Sequence, residues 1–203
     1  MALFIDTETN GLPNMNNMKW GSYPDYWDTG KYNTARIVQM SYIVTDYNYK
    51  DLYLKDFLIK REGFNITNSE FHSITDEISD NEGVDFNIAI EEFYENLKTV
   101  DYIIAHNIAF DISVIKSELH RRGLPHIIEE IDKKRFMCTM KHTKNIVKIF
   151  NKFGKYKYPS MKELYRHCFG KDIENAHNSK YDVINLHSTV KYLHDSGCLN
   201  YDL

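Results

Sequence analysis

The chain opens on four apolar residues, Ala2-Leu3-Phe4-Ile5, that run without a break into Asp6-Thr7-Glu8-Thr9-Asn10 and are closed by Gly11 and Pro13. An apolar run of this length stopped by turn residues reads as a strand buried on both faces. Residues 14–35 carry no clean period and read as a long loop, in which Trp20, Tyr23, Tyr26, Trp27 and Tyr32 either stack on bases or anchor the loop to the core. Two β-branched and aromatic runs, 36–45 and 52–60, flank a polar turn and predict a hairpin. Beyond a polar stretch with short helical turns, Phe86, Ile90, Phe93, Tyr94 and Leu97 recur at helical spacing and predict an amphipathic helix over 85–98. Residues 102–106 form another short buried-strand run. Asn107 then stands where it would cap a helix with Ile108, Ile112, Ile115 and Leu119 on one face, and Gly123-Leu124-Pro125 mark its stop. A fifth strand is predicted at 135–139, helices at 139–150 and 160–169 with a loop at 152–159 between them, and a last helix striped by Val183, Leu186, Val190 and Leu193. Strands first, then strands alternating with helices, predict an α/β fold: a mixed sheet covered by helices, in one domain over residues 1–203.

Composition narrows the class without choosing a function. A length of 203 residues suits one substantial core. No apolar stretch is long enough to span a bilayer, and no basic-then-apolar leader precedes the first strand, so no membrane association is expected. Cys138, Cys168 and Cys198 are scattered without metal-type spacing, which suits a reducing, cytoplasmic setting. A net charge of −4 argues against a broad nucleic-acid-wrapping surface, but leaves room for a small site that grips a strand end through bound metal ions.

The candidate chemistry lies in four acids. Asp6 and Glu8, two apart on a strand, project from the same side of the sheet. Two such carboxylates at the end of a buried strand repel each other unless a cation sits between them, and a hard divalent ion with oxygen ligands answers that need. Asp111 follows the fourth strand and Asp182 opens the last helix, places where α/β proteins gather their sites. Four carboxylates balance two divalent cations, which can clamp the attacking and leaving oxygens of a phosphodiester. His177, five residues before Asp182, would take the proton from the attacking water, since imidazoles titrate near neutrality. Taken singly, each residue also has a plain structural reading: a solvated strand end, helix-start acids and a surface histidine. The ordered set is what favours catalysis.

Three blocks, Phe4-Ile5-Asp6-Thr7-Glu8-Thr9-Asn10-Gly11-Leu12, Ala105-His106-Asn107-Ile108-Ala109-Phe110-Asp111 and Ala176-His177-Asn178-Ser179-Lys180-Tyr181-Asp182-Val183, closely resemble the motifs of the DnaQ-like DEDDh 3′-to-5′ exonucleases. That family includes proofreading subunits of replicative DNA polymerases, ribonuclease T, oligoribonuclease and the TREX enzymes. The resemblance implies a ribonuclease-H-like fold, a five-stranded mixed sheet with the first strand central. It implies two Mg²⁺ or Mn²⁺ ions on Asp6, Glu8, Asp111 and Asp182, with His177 as general base; His rather than Tyr there marks the DEDDh branch. Thr7, Thr9 and Leu12 match positions at the 3′-terminal nucleotide, Leu12 as an apolar wedge, and Phe110 matches a position beside the scissile end or in the core. The implied partner is the 3′ end of a single strand, DNA ahead of RNA, with a DNA polymerase as a further candidate. Asn10 departs from the usual Thr and Ser179 from the usual Ala, and with the aromatic loop they leave substrate preference open. The competing readings are a non-catalytic module that binds nucleic-acid ends or a polymerase, and a phosphoesterase of small nucleotides. The intact acidic set speaks against the first, and the loop aromatics with Leu12 speak against the second.

Overall fold

The computed structural model describes residues 1–16, 18–19, 21–174 and 176–199; Trp20 of the sequence reading lies outside the described residues. Its strands are β1 (Ala2–Thr9), β2 (Ile37–Thr45), β3 (Asp51–Leu58), β4 (Tyr102–Ala105) and β5 (Arg135–Cys138). The helices are α1 (Ser69–His72), α2 (Asp76–Glu82), α3 (Phe86–Leu97), α4 (Ile108–Arg121), α5 (Pro125–Asp132), α6 (Thr139–His142), α7 (Lys144–Val147), α8 (Met161–Phe169) and α9 (Ser179–Asp195). One mixed five-stranded sheet runs β3-β2-β1-β4-β5, so the opening strand is central, as expected. β1 is antiparallel to β2 and parallel to β4, and β4 is parallel to β5.

Alternation along β1 divides the core. Leu3 and Ile5 join a cluster with Phe86, Ile90, Phe93 and the inner faces of α4 and α5. Ala2 and Phe4 turn the other way, into a cluster with Leu164 of α8 and Val183, Leu186, Val190 and Leu193 of α9. Each face of the strand is thus sealed by helices, which explains an unbroken apolar run where a half-exposed strand would alternate. The pairing of β1 with β4 ends at Phe4↔Ile104, whereas its pairing with β2 continues to Thr9. Asp6 and Glu8 therefore stand in the crevice that opens where β1 outruns β4.

Two local expectations are corrected, and one helix is added. Asn107 occupies the cap position of α4, but its side chain makes no capping bond. Its backbone is left-handed, with φ 67°, and its side-chain amide donates to the Tyr23 hydroxyl at 2.8 Å. α4 stops at Arg121 and Gly123 turns with φ 68°, where the stop signal places its end. Pro125 then opens α5, a helix not predicted, because the first helical residue needs no free N–H and proline's fixed φ suits the start. The helix expected over 139–150 is two single turns, α6 and α7, ended at Lys148 by a left-handed backbone with φ 56°. Of the loop aromatics, Tyr32 is buried, Tyr23 packs on Phe110, Tyr26 packs on His120, and Trp27 is 56% exposed. Anchoring the loop is what most of them do.

The entry to β2 is held by charge. Arg36 and Arg122 both pair with Glu118 of α4, which is 3% exposed. Removing one partner of a buried ion group strands the remaining charge, typically at about 3–5 kcal/mol. Glu118→Ala is expected to lower the unfolding free energy by about that much. Urea denaturation checks it, and a loss below about 1 kcal/mol would show the guanidinium groups rehydrated instead.

Candidate active site

The two carboxylates of β1 meet a third from α9. One oxygen each of Asp6, Glu8 and Asp182 lies within 4.8 Å of the others. The side-chain parity of β1 accounts for this, since even-numbered residues face α9. Odd-numbered residues face α4, and there Asp111 is found, 3% exposed, with Oδ1 accepting from the Thr7 N–H at 3.1 Å and the Thr7 hydroxyl at 2.9 Å. Asp111 thus approaches the same strand end from the opposite face and stands outside the tight trio. Thr7 spends its hydroxyl on orienting that carboxylate.

Burial sets the electrostatics. It raises Asp6 well above the ordinary carboxylate range, reinforced by Asp111, Asp182 and Glu8. It raises Glu8 to about 8, with Asp182 and Asp111 adding to the effect. Asp111 rises to about 7 through burial, opposed by its bonds to Thr7. Asp182 is raised by burial and drawn back down by the His177 N–H and imidazole. Four mutually repelling acids in one crevice are a poor arrangement for bare carboxylates and a suitable one for a divalent cation. The donor set is all oxygen, which fits a hard ion.

His177 is placed by its backbone. With φ 68° it is left-handed, uncommon for a residue with a side chain, and its N–H donates to Asp182 Oδ2 at 2.9 Å. Its ring is exposed and faces Phe71 edge-on at 6.5 Å. Ser179, two residues on, bonds the Ser41 hydroxyl at 2.6 Å, and its N–H donates to Gln39 Oε1 at 3.3 Å. The departure from Ala thereby ties the start of α9 to β2.

Two hollows flank the carboxylates. One, of about 380 Å³, is walled by Thr7, Glu8, Thr9, Leu12, Phe110 and the α1 region. Leu12 is 64% exposed at its rim, and the Thr9 hydroxyl donates to the Gly11 carbonyl at 2.7 Å. The other, of about 370 Å³, lies beside Asp6, His177 and Asp182 and is bounded by His106, Met161 and Lys162. Burial lowers His106 to about 4, and it is spent on the Thr139 hydroxyl and the Pro159 carbonyl, so it braces the wall as a neutral ring.

Sequence reasoning missed part of the first hollow. Asn68, Phe71 and His72 complete its wall. His72 is 4% exposed, accepts the Ile74 N–H on Nδ1, and has no partner for Nε2 among the described residues. The available signal was the Phe71-His72 pair within a polar stretch, which marks side chains held for a purpose other than a helix core. Asn10 acts through this wall: it donates to the Asn65 carbonyl at 3.0 Å and accepts the Thr67 N–H at 2.7 Å. A Cβ on Gly11 would lie 2.9 Å from the Thr34 carbonyl and 3.0 Å from the Asn68 amide, so only glycine lets these segments close on one another.

Known proteins share this fold. The model of the exonuclease family, RNase T type, matches residues 3–188, whereas no curated protein sequence matches the chain. Exonuclease X, in a complex with 5′-overhanging duplex DNA, shares the fold with a TM-score of 0.60 at 20% identity over 97% of this chain and 93% of its own. Exonuclease I of E. coli, bound to a dT13 oligonucleotide, gives 0.68 at 16% identity over 95% of this chain, which spans 40% of that protein. A 3′-exonuclease that recognises a histone mRNA stem-loop gives 0.62 at 11% identity over 97% of this chain and 82% of its own. Among the described residues no helix is long and apolar enough to cross a membrane.

Proposed function

The chain belongs to the exonuclease family, and from that premise we propose that it is a 3′-to-5′ exonuclease of the DEDDh type, acting on the 3′ end of single-stranded DNA, with RNA as the alternative. The observation that carries this reading is the convergence of Asp6, Glu8 and Asp182 within 4.8 Å at the edge of a hollow walled by Thr9, Leu12 and Phe110. Asp6, Glu8, Asp111 and Asp182 would hold two Mg²⁺ or Mn²⁺ ions. When bound, such ions supply Lewis acidity toward the scissile phosphate and its attacking water. The hollow seats the last nucleotide, with Leu12 against its base. His177, tethered to Asp182 by its backbone, takes the proton from the attacking water. The bond from phosphorus to the 3′ oxygen of the preceding ribose breaks, so the product is a 5′-mononucleotide. The DNA and RNA bound by the structural relatives support a nucleic-acid end as substrate.

The test uses matched DNA and RNA strands labelled at the 5′ end. Stepwise shortening with Mg²⁺ or Mn²⁺, arrested by EDTA, is the expected result. If neither strand shortens with either metal, the enzymatic reading fails.

A further inference from the structure

The net charge of −4 hides an uneven distribution. Residues 133–162 carry ten of the chain's 25 Lys and Arg and none of its 29 Asp and Glu. Within them, 141–157 hold six lysines interleaved with aromatics. Past α7 the chain makes a tight hairpin: Phe150 and Tyr156 form an antiparallel bridge, and the Asn151 N–H donates to the Lys155 carbonyl at 2.8 Å. The Asn151 side chain accepts the Phe153 and Lys155 N–H groups at 2.9 and 3.1 Å, and Gly154 turns the corner with φ 71°. The turn is therefore well defined, yet Phe150 is 65% and Phe153 75% exposed. Rings held outward on a braced turn contribute nothing to the core.

Beside the hairpin lies a hollow of about 340 Å³ framed by Lys144, Phe150, Lys155 and Tyr156. The Phe150 and Tyr156 rings are 4.8 Å apart at 48°. Among the described residues, Lys141, Lys144, Lys148, Lys152 and Lys155 make no ion pair with a carboxylate, whereas Lys157 is spent on Glu163. Both ends of the segment touch the site's surroundings. Met140 lines a hollow with Tyr23 and Asn107. Beyond the hairpin, the Pro159 carbonyl bonds His106, and Ser160 and Lys162 border the hollow that contains Asp6, His177 and Asp182.

We propose that the hollow between Lys144, Phe150, Lys155 and Tyr156 is an accessory subsite for a single strand of nucleic acid, taking a nucleotide upstream of the terminal one. Ammonium groups without a carboxylate partner, Lys144 among them although it lies 5.0 Å over the Tyr158 ring, meet phosphates, and exposed rings offer a stacking face that any base can use. That combination suits a strand better than a generic polyanion, for which the aromatics would have no role. The position of the nucleotide relative to the terminus rests on the exonuclease reading; strand binding itself does not.

Binding of 5′-fluorescent 20-mers of deoxythymidylate and uridylate to the full chain is followed by polarisation in EDTA at several salt concentrations. The Phe150→Ala/Tyr156→Ala variant is expected to bind about tenfold more weakly, the scale of lost base stacking. For Lys144→Ala/Lys155→Ala, the slope of log affinity against log salt is expected to flatten by about 1.4, from about 0.7 per phosphate contact on a single strand. Hydrolysis of a dinucleotide is expected to be unchanged in both. Variants that bind and degrade 20-mers as the parent does would overturn the subsite and leave the exonuclease reading standing. An equal loss on the dinucleotide would also overturn it, by showing that the hairpin supports the catalytic site. A parent that binds strands through these residues but cleaves nothing would retain the subsite while the exonuclease reading fell. If the substitutions abolish binding to anionic vesicles and spare the strands, the surface is a membrane contact and the proposal is wrong.

Discussion

Asp6→Ala and Asp182→Ala proteins are expected to release no detectable nucleotide from a strand that the parent degrades, while staying folded. The two carboxylates come from different elements, the central strand and the first turn of α9, and share one cation-sized space with Glu8. Removing either leaves the remaining acids unable to hold a metal ion in place. The same change should not weaken the fold, because these groups are held together against their own electrostatics. Burial raises Asp6, Glu8 and Asp182, reinforced at Asp6 and Glu8 by neighbouring carboxylates. An acid whose pKa is raised by folding binds its proton more tightly in the folded chain, so stability is greatest at low pH. It then falls as pH rises from the ordinary value, 4.5 for Glu8, through about 8. In EDTA the parent is therefore expected to melt at a lower temperature at pH 8 than at pH 6. Asp6→Ala should flatten that difference, and Mn²⁺ should raise the melting temperature of the parent more than that of the variant. Near-parental activity in either variant would remove it from the ligand set. A parent whose metal-free melting temperature rises between pH 6 and 8 would refute the electrostatic account.

The core of this arrangement is legible in residue order because it depends on short-range rules. An apolar run closed by Gly11 and Pro13 gives a central strand, and a period of two puts Asp6 and Glu8 on one side. What alternation alone does not disclose is which helix covers which face. Only the packed structure separates Asp182, beside Asp6 and Glu8, from Asp111, which is reached through Thr7 on the opposite face. Propensity misleads at Asn107 for a related reason, since its amide can cap the helix or reach a tertiary partner and Tyr23 takes it. The stop at Gly123-Leu124-Pro125 is read correctly, but the short α5 behind it, carried by the buried Ile127, Ile128 and Ile131, is not. The basic hairpin is invisible to net charge because that quantity sums over position. The wall of Asn68, Phe71 and His72 is brought to the site by Asn10 across more than fifty residues, a contact no periodicity encodes.

His177→Ala is expected to slow hydrolysis by ~10²–10⁴-fold, the usual range for loss of a general base, with strand binding unchanged. Two roles compete for this residue, and they separate cleanly. Its left-handed backbone, with φ 68°, aims the N–H at Asp182, so the residue orients that carboxylate through its main chain. Its ring is exposed opposite Phe71 and makes no part of that backbone contact. Glycine adopts a left-handed backbone at no steric cost, so His177→Gly keeps the first role and removes the second. If the imidazole is the base, the alanine and glycine variants should be equally slow, and imidazole added to the buffer should restore part of the rate in both. A glycine variant close to the parent would show that only the backbone matters, and His177 would then be a positioning residue. A loss below tenfold in the alanine variant would remove it from the proton path altogether, leaving the base to be sought elsewhere on the rim of the carboxylate crevice.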